Sequence, residues 1–121
     1  SDKLFIYGND WPTKDGTCVR DYIHVMDLAE AHLAGLEYIA NGPSKFISVN
    51  IGTGKGYSVL EVVEKFKKLS NCLLPYKFVD RRKGDFPSVV ADNKLAIKLL
   101  NWFPKRELDQ MCKDCLRRIK N

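Results

Sequence analysis

What the sequence lacks narrows it first. No apolar run approaches the roughly 20 residues that a membrane-spanning helix needs. The N-terminal SDKLFIYG has none of the charged-then-apolar layout of a signal peptide. There is no internal repeat, no low-complexity tract and no linker. Histidine is sparse, and neither His24 nor His32 stands in a Ser-His-Asp or Cys-His nucleophile pattern. Cys18, Cys72, Cys112 and Cys115 are scattered apart from one C-x-x-C at Cys112-Lys113-Asp114-Cys115. A zinc site needs about four ligands, and no second C-x-x-C or H-x-x-x-H supplies them. The chain also has no initiator Met and enters a strand almost at once, so we expect a fragment of a longer polypeptide.

What is present describes a soluble globular domain. At 121 residues, 45% apolar and 29% charged, the chain reads as one domain with a real core. A net charge of +5 and a pI near 9.0 favour anionic partners: phosphates, nucleotides or nucleic acid. A nucleic-acid binder would be expected to interleave aromatics with its basic residues or to carry a known motif, and neither is seen. In a domain this size the thiols are expected to be reduced, as in a cytoplasmic protein.

Periodicity predicts the elements. Leu4–Tyr7 reads as a strand, followed by a turn-rich GNDWPTKDGT, and Cys18–Val25 as a second strand. Asp27 with Glu30 reads as a capping box opening a helix, with Leu28, Ala31, Gly35, Leu36 and Ile39 on one stripe. Asn41-Gly42-Pro43 would stop it. Phe46–Ile51 reads as a strand, and Ser58 with Glu61 as a second capping box. Val59, Val62, Val63, Phe66 and Leu69 mark the apolar face of the helix that follows. Tyr76–Val79 is another strand. Asp92 would cap a short helix that Pro104 ends, and a last helix puts Leu108, Met111, Cys112, Cys115, Leu116 and Ile119 on one side. The predicted class is α/β, a small mixed sheet with flanking helices.

Few stretches carry chemistry. Both sulfurs of the C-x-x-C lie on the predicted apolar stripe, so core packing is the expectation there. His32 reads as a core or boundary residue, and His24 as making a local hydrogen bond near Asp27. Gly52-Thr53-Gly54-Lys55-Gly56 lies between a strand and a helix, with Asp80 ending the next strand. A dinucleotide fingerprint would need glycine where Tyr57 stands, and the spacing is not that of a P-loop, so a tight turn is the expectation. In Arg20-Asp21-Tyr22, strand alternation sends Arg20 and Tyr22 to one face and Asp21 to the other. A guanidinium beside a phenol suits a phosphate on a hydroxyl-bearing ligand, and equally an edge-strand arginine paired with a carboxylate. Arg81-Arg82-Lys83-Gly84-Asp85 gathers three cations, a glycine and a carboxylate in one loop.

GNDWPTKDGTCVRDYIHVMDLAEAH, VNIGTGKGYSVLEVV, RRKGD and VVADNKLA together resemble the C-terminal part of the UDP-glucose 4-epimerases, within the extended short-chain dehydrogenase/reductase family. The likeness runs from about Leu4 to the end. It implies that residues 1–121 are one UDP-sugar-binding domain of an enzyme that interconverts UDP-galactose and UDP-glucose by oxidation and reduction at C4. It further implies NAD held by an N-terminal Rossmann half and a homodimeric complete enzyme. No tyrosine here has lysine four residues later, so the family's Tyr-x-x-x-Lys pair is not in this chain. The resemblance therefore implies no catalytic residue and no turnover by this chain alone. Carried over position by position, Arg20 and Arg82 would contact the diphosphate, with Tyr22 beside Arg20. Asp85 would meet the ribose, Tyr7 the uracil region, and Val59 the nucleotide pocket. Arg81 and Lys83 fall outside the contacting set. Val89 stands where the family often has a bulky aromatic against the hexose, so tolerance of UDP-N-acetylhexosamines is expected. Another nucleotide-sugar reductase, such as a dehydratase or decarboxylase, and a non-catalytic nucleotide-sugar module remain the alternatives.

Overall fold

A computed structural model describes residues 3–42, 48–71 and 74–120. Strand β1 (Leu4–Tyr7) pairs in parallel with β4 (Tyr76–Val79), with Leu4 opposite Tyr76 and Tyr7 opposite Val79. A second small sheet has the order β3 (Tyr57–Ser58), β2 (Val19–Arg20), β5 (Ser88–Val89). There β2 runs antiparallel to β3 and parallel to β5, so Arg20 lies between Tyr57 and Val89. The predicted mixed α/β class holds, but the strands divide into two sheets. Four helices accompany them among the described residues: α1 (Val25–Asn41), α2 (Val59–Ser70), α3 (Lys94–Leu100) and α4 (Leu108–Lys120). None is long and apolar enough to cross a membrane.

Helix α1 starts earlier than the sequence predicted, and for a different reason. His24 is its N-cap, with Nδ1 accepting from the Met26 N–H at 3.0 Å. That places the ring proton on Nε2, which meets Asp114 Oδ2 of α4 at 2.6 Å. Asp27 caps nothing; it is fully buried and binds the segment leading into α4. The predicted apolar stripe is also rotated. Ala31 is buried, and Ile23 and Ala34 pack on the same cluster, whereas Leu36 and Ile39 are 65% and 74% exposed. His32 is exposed too, bonded to the Leu28 carbonyl of its own helix at 2.8 Å. The core cluster of Ala31, Ala96 and Trp102 draws in Val49, Ile51 and Leu100, so α1 turns the Ala31 side inward.

The long strand predicted at Cys18–Val25 shortens to Val19–Arg20, because Asp21 leaves the ladder and puts its carboxylate where a strand neighbour would bond. The strand predicted at Phe46–Ile51 begins outside the described residues, and 48–51 has no strand pairing. By contrast, α2 opens as predicted. Ser58 Oγ accepts from Glu61 N at 3.0 Å, and Glu61 Oε1 accepts from Ser58 N at 2.9 Å. Such a cap is worth about 1 kcal/mol. Asn93, not Asp92, sits at the N-cap of α3, although Asp92 Oδ1 accepts from Lys94 N at 3.2 Å.

Helix α4 packs on α2 with Leu108 and Cys112 buried, and Lys65 joins Asp109 across the pair at 2.7 Å. The two cysteines of the C-x-x-C part company: Cys112 is 1% exposed, and Cys115 is on the surface. Burial pushes the Cys112 thiol above its ordinary pKa. Cys72 lies outside the described residues, and Ile119 is described in its backbone alone.

Candidate functional site

The loop after β1 and the segment around β2 are tied together by one carboxylate. Asp15 Oδ1 accepts from Thr17 N at 3.0 Å and Thr17 Oγ at 2.7 Å, and Oδ2 accepts from Ser58 Oγ at 2.5 Å. Burial works against ionisation of Asp15, but the Ser58 and Thr17 bonds outweigh it and hold its pKa below the ordinary value. The Thr17 hydroxyl takes the Leu60 N–H at 3.2 Å, and the Cys18 carbonyl takes the Val59 N–H at 2.9 Å. The start of α2 is thereby fixed against β2.

With β2 set, its side chains divide by face. Arg20 and Tyr22 line a cavity of about 210 Å³ together with Tyr7, Val59, Arg82, Asp85, Phe5, Ile6 and Cys18. Burial raises the pKa of the half-buried Tyr22 phenol, against the pull of the neighbouring Arg20 charge. Asp85 joins the two arginines. Arg82 Nε lies 3.1 Å from Asp85 Oδ2 and its Nη2 3.4 Å from Oδ1, while Arg20 Nη2 stands 4.0 Å from Oδ1. The guanidinium of Arg82 lies over the Tyr7 ring, 4.9 Å from its centroid. A turn closed by Asp85 N donating to the Arg82 carbonyl at 3.3 Å brings Asp85 back onto Arg82. That turn needs a left-handed residue, and Gly84 supplies it at φ +90°.

Six of the seven residues picked out on the sequence thus share one cavity. Val89 does not; it lines an adjoining open groove of about 800 Å³ with Arg20, Asp21 and Ile51. The two spaces meet at Arg20. Arg81, outside the contacting set, is a staple. Its Nε donates to Asp10 Oδ1 at 2.9 Å, its Nη2 donates to the Asp10 carbonyl at 2.8 Å, and its guanidinium stacks on Trp11 at 4.2 Å.

Sequence reasoning missed Asp21. Its Oδ1 accepts from Thr53 N at 2.9 Å and Thr53 Oγ at 2.6 Å, and its Oδ2 from Gly54 N at 3.0 Å and Ala91 N at 3.2 Å. The signal was visible in the alternation that turned Asp21 away from Arg20, next to a loop rich in free N–H groups. This also settles what the glycine loop does locally. Its Thr53 and Gly54 amides, which a phosphate-binding loop would offer to a ligand, go to Asp21. A Cβ on Gly52 would stand 2.6 Å from the Ala91 Cβ and 2.7 Å from Asp21 Oδ2, so the glycine allows this close approach. No cluster of His, Cys, Asp and Glu suited to a metal ion occurs among the described residues.

Two basic side chains converge on a cavity with an aromatic wall and a carboxylate, a chemistry able to hold a phosphorylated, hydroxyl-bearing ligand. The chain belongs to the family described as GDP-mannose 4,6 dehydratase, whose model matches residues 1–115. Within that class it is similar to UDP-glucose 4-epimerases. It is 51% identical over 116 residues to the enzyme of Bacillus subtilis, covering 96% of this chain and 34% of that protein. The UDP-glucose 4-epimerase of Bifidobacterium longum in complex with NAD+ and UDP superposes with a TM-score of 0.92 at 40% identity, over 100% of this chain and 36% of that one. The UDP-Glc/GlcNAc 4-epimerase of Campylobacter jejuni gives a TM-score of 0.86 at 41% identity, over 99% and 36%. The chain thus spans about a third of the length of the relatives it matches.

Proposed function

We propose that residues 1–121 form one UDP-hexose-binding unit, the C-terminal part of a UDP-glucose 4-epimerase that interconverts UDP-galactose and UDP-glucose. Arg20 and Arg82 clamp the diphosphate with forked donors from two separate segments. Asp85 accepts from the ribose hydroxyls, Tyr7 lies toward the uracil, and Val59 forms an apolar wall. Tyr22 supports Arg20, and Val89 borders the hexose in the adjoining groove. The observation that carries this reading is that Tyr7, Arg20, Tyr22, Val59, Arg82 and Asp85, chosen from the sequence, line one cavity.

NAD, named with the Bifidobacterium longum enzyme, is assigned to residues outside this chain, because the glycine loop here spends its amides on Asp21. The chain alone is accordingly inactive, and turnover of UDP-galactose by it would overturn that assignment. We place the complete enzyme in the cytoplasm as a homodimer, without nucleic-acid or membrane partners. The free thiols of Cys18, Cys112 and Cys115 suit a reducing compartment.

Calorimetry with UDP and UDP-glucose tests the site. Arg20→Ala and Arg82→Ala should each cost about 1.5–3 kcal/mol of binding, the worth of a hydrogen bond to a charged group. Binding to DNA or RNA with steep salt dependence, and none to UDP, would overturn the reading. Val89 sets the acyl tolerance. In the complete enzyme, Val89→Tyr should abolish action on UDP-N-acetylgalactosamine and keep action on UDP-galactose, and no change in either would refute that role. The Campylobacter jejuni relative is named for both glucose and N-acetylglucosamine substrates. The family description favours a nucleotide-sugar dehydratase as the second reading. Loss of water from the sugar, in place of inversion at C4, would establish it.

A further inference from the structure

We propose that Asp85 is a built-in counter-ion that makes this site select nucleoside diphosphates over inorganic pyrophosphate. The inference rests on the UDP-sugar reading for its ribose half only. Its starting point is that one carboxylate serves two cations: Arg82 through Nε at 3.1 Å and Nη2 at 3.4 Å, and Arg20 through Nη2 at 4.0 Å. The carboxylate is held by the Arg82–Asp85 turn, and its side chain is 20% exposed. The arginines have supports of their own. Arg82 lies on the Tyr7 ring, and Arg20 Nη1 donates to the Val19 carbonyl at 2.8 Å. Arg81 cannot stand in for either, since Asp10 and Trp11 hold it.

A phosphate ligand entering here must draw guanidinium donors away from Asp85 and then lie beside its negative charge. The three side chains sum to a single positive charge, where two unopposed arginines would present two. For inorganic pyrophosphate the exchange leaves Asp85 facing a like charge with no donor in return. A nucleoside diphosphate carries ribose hydroxyls on the same molecule. Their O–H groups donate to the carboxylate as the arginines leave it, and offset the repulsion. Asp85 therefore weakens every phosphate ligand, and the ribose restores the loss for nucleotides alone.

The test is calorimetry of the 121-residue chain with inorganic pyrophosphate and, separately, with UDP. Asp85→Asn and Asp85→Ala should each bind pyrophosphate roughly tenfold tighter than the unmodified chain, the size expected for removing one partly screened charge near 4 Å. Affinity for UDP should stay level or fall, so the preference for UDP collapses. The pyrophosphate gain should shrink at high salt. Unchanged or weaker pyrophosphate binding in both variants overturns the proposal. So does a rise in UDP affinity equal to that for pyrophosphate, since then the ribose contributes nothing through Asp85. The pyrophosphate arm involves no uridine. Failure of the unmodified chain to bind UDP would count against the UDP-sugar reading, while the response of pyrophosphate to Asp85→Asn would still decide the counter-ion.

Discussion

Asp27 and Asp85 both pair with arginine, and they do opposite work. Asp27 is wholly buried and accepts from Lys105 N at 3.2 Å, Arg106 N at 2.9 Å and Arg106 Nη1 at 2.6 Å. Its own carbonyl takes the Trp102 indole N–H at 3.0 Å. Two of the carboxylate's donors are main chain and cannot leave without moving the fold. The partners of Asp85 are guanidinium groups on long stems, which can turn to a ligand at small cost. A carboxylate completed by backbone N–H groups is a rivet, and one completed by arginine side chains alone is exchangeable. Asp21, with three backbone amides and a hydroxyl, belongs with Asp27.

The contrast can be broken experimentally. Asp27→Ala should cost the most stability, about 3 kcal/mol in urea unfolding, because it strands the Lys105 and Arg106 N–H groups and leaves Arg106 with Glu30 as its carboxylate partner. The folded variant should still bind UDP as before. A loss of affinity without a loss of stability would invert the assignment. Asp21→Asn puts an amide NH₂ against the Gly54 and Ala91 N–H groups and should cost about 2 kcal/mol by the same measurement. Acid supplies the next test. Burial opposes ionisation of Asp27, but the N–H groups of Arg106 and Lys105 and the guanidinium outweigh it, so its folded pKa lies below its ordinary one. The stabilisation is complete above the ordinary value of about 3.9 and fades as pH falls through the folded value. Asp15 acts in the same direction. The urea midpoint should therefore drop below about pH 4, and drop less steeply in Asp27→Asn. The smallest effect separates two adjacent residues. Arg81→Ala should cost about 0.5–1 kcal/mol of stability through lost stacking on Trp11 and change UDP affinity by less than about twofold. Arg82→Ala should do the reverse.

Features set by local rules could be read from the sequence. The Ser58–Glu61 capping box and the strands Leu4–Tyr7 and Tyr76–Val79 need only neighbours within a few residues, whereas the short helix expected to run to Pro104 ends earlier, at Leu100, with Asn101 as a left-handed C-cap. What could not be read depends on distant partners. Asp27 followed by Glu30 has the spacing of a cap, but the segment holding Arg106 claims both carboxylates. The α1 stripe was misread because Trp102 and Ala96, far along the chain, choose which face is buried. The cavity lining was legible to a greater depth than periodicity alone allows, since the resemblance picked out residues on four separate segments that line it. Asp21 escaped because its role consists of bonds to two loops that no spacing rule connects.

The placement of Arg20 between Tyr57 and Val89 has a kinetic consequence. Helices α1 and α2 close contacts between near neighbours, whereas β2 acquires its partners only after long loops have been drawn together. Loop closure is an entropic cost met before such pairing is rewarded. Strand β2 is therefore expected to assemble late on the folding route. Conservative substitutions around Val19 and Arg20 should accelerate unfolding and leave the folding rate nearly constant, a pattern that a chevron plot reads directly.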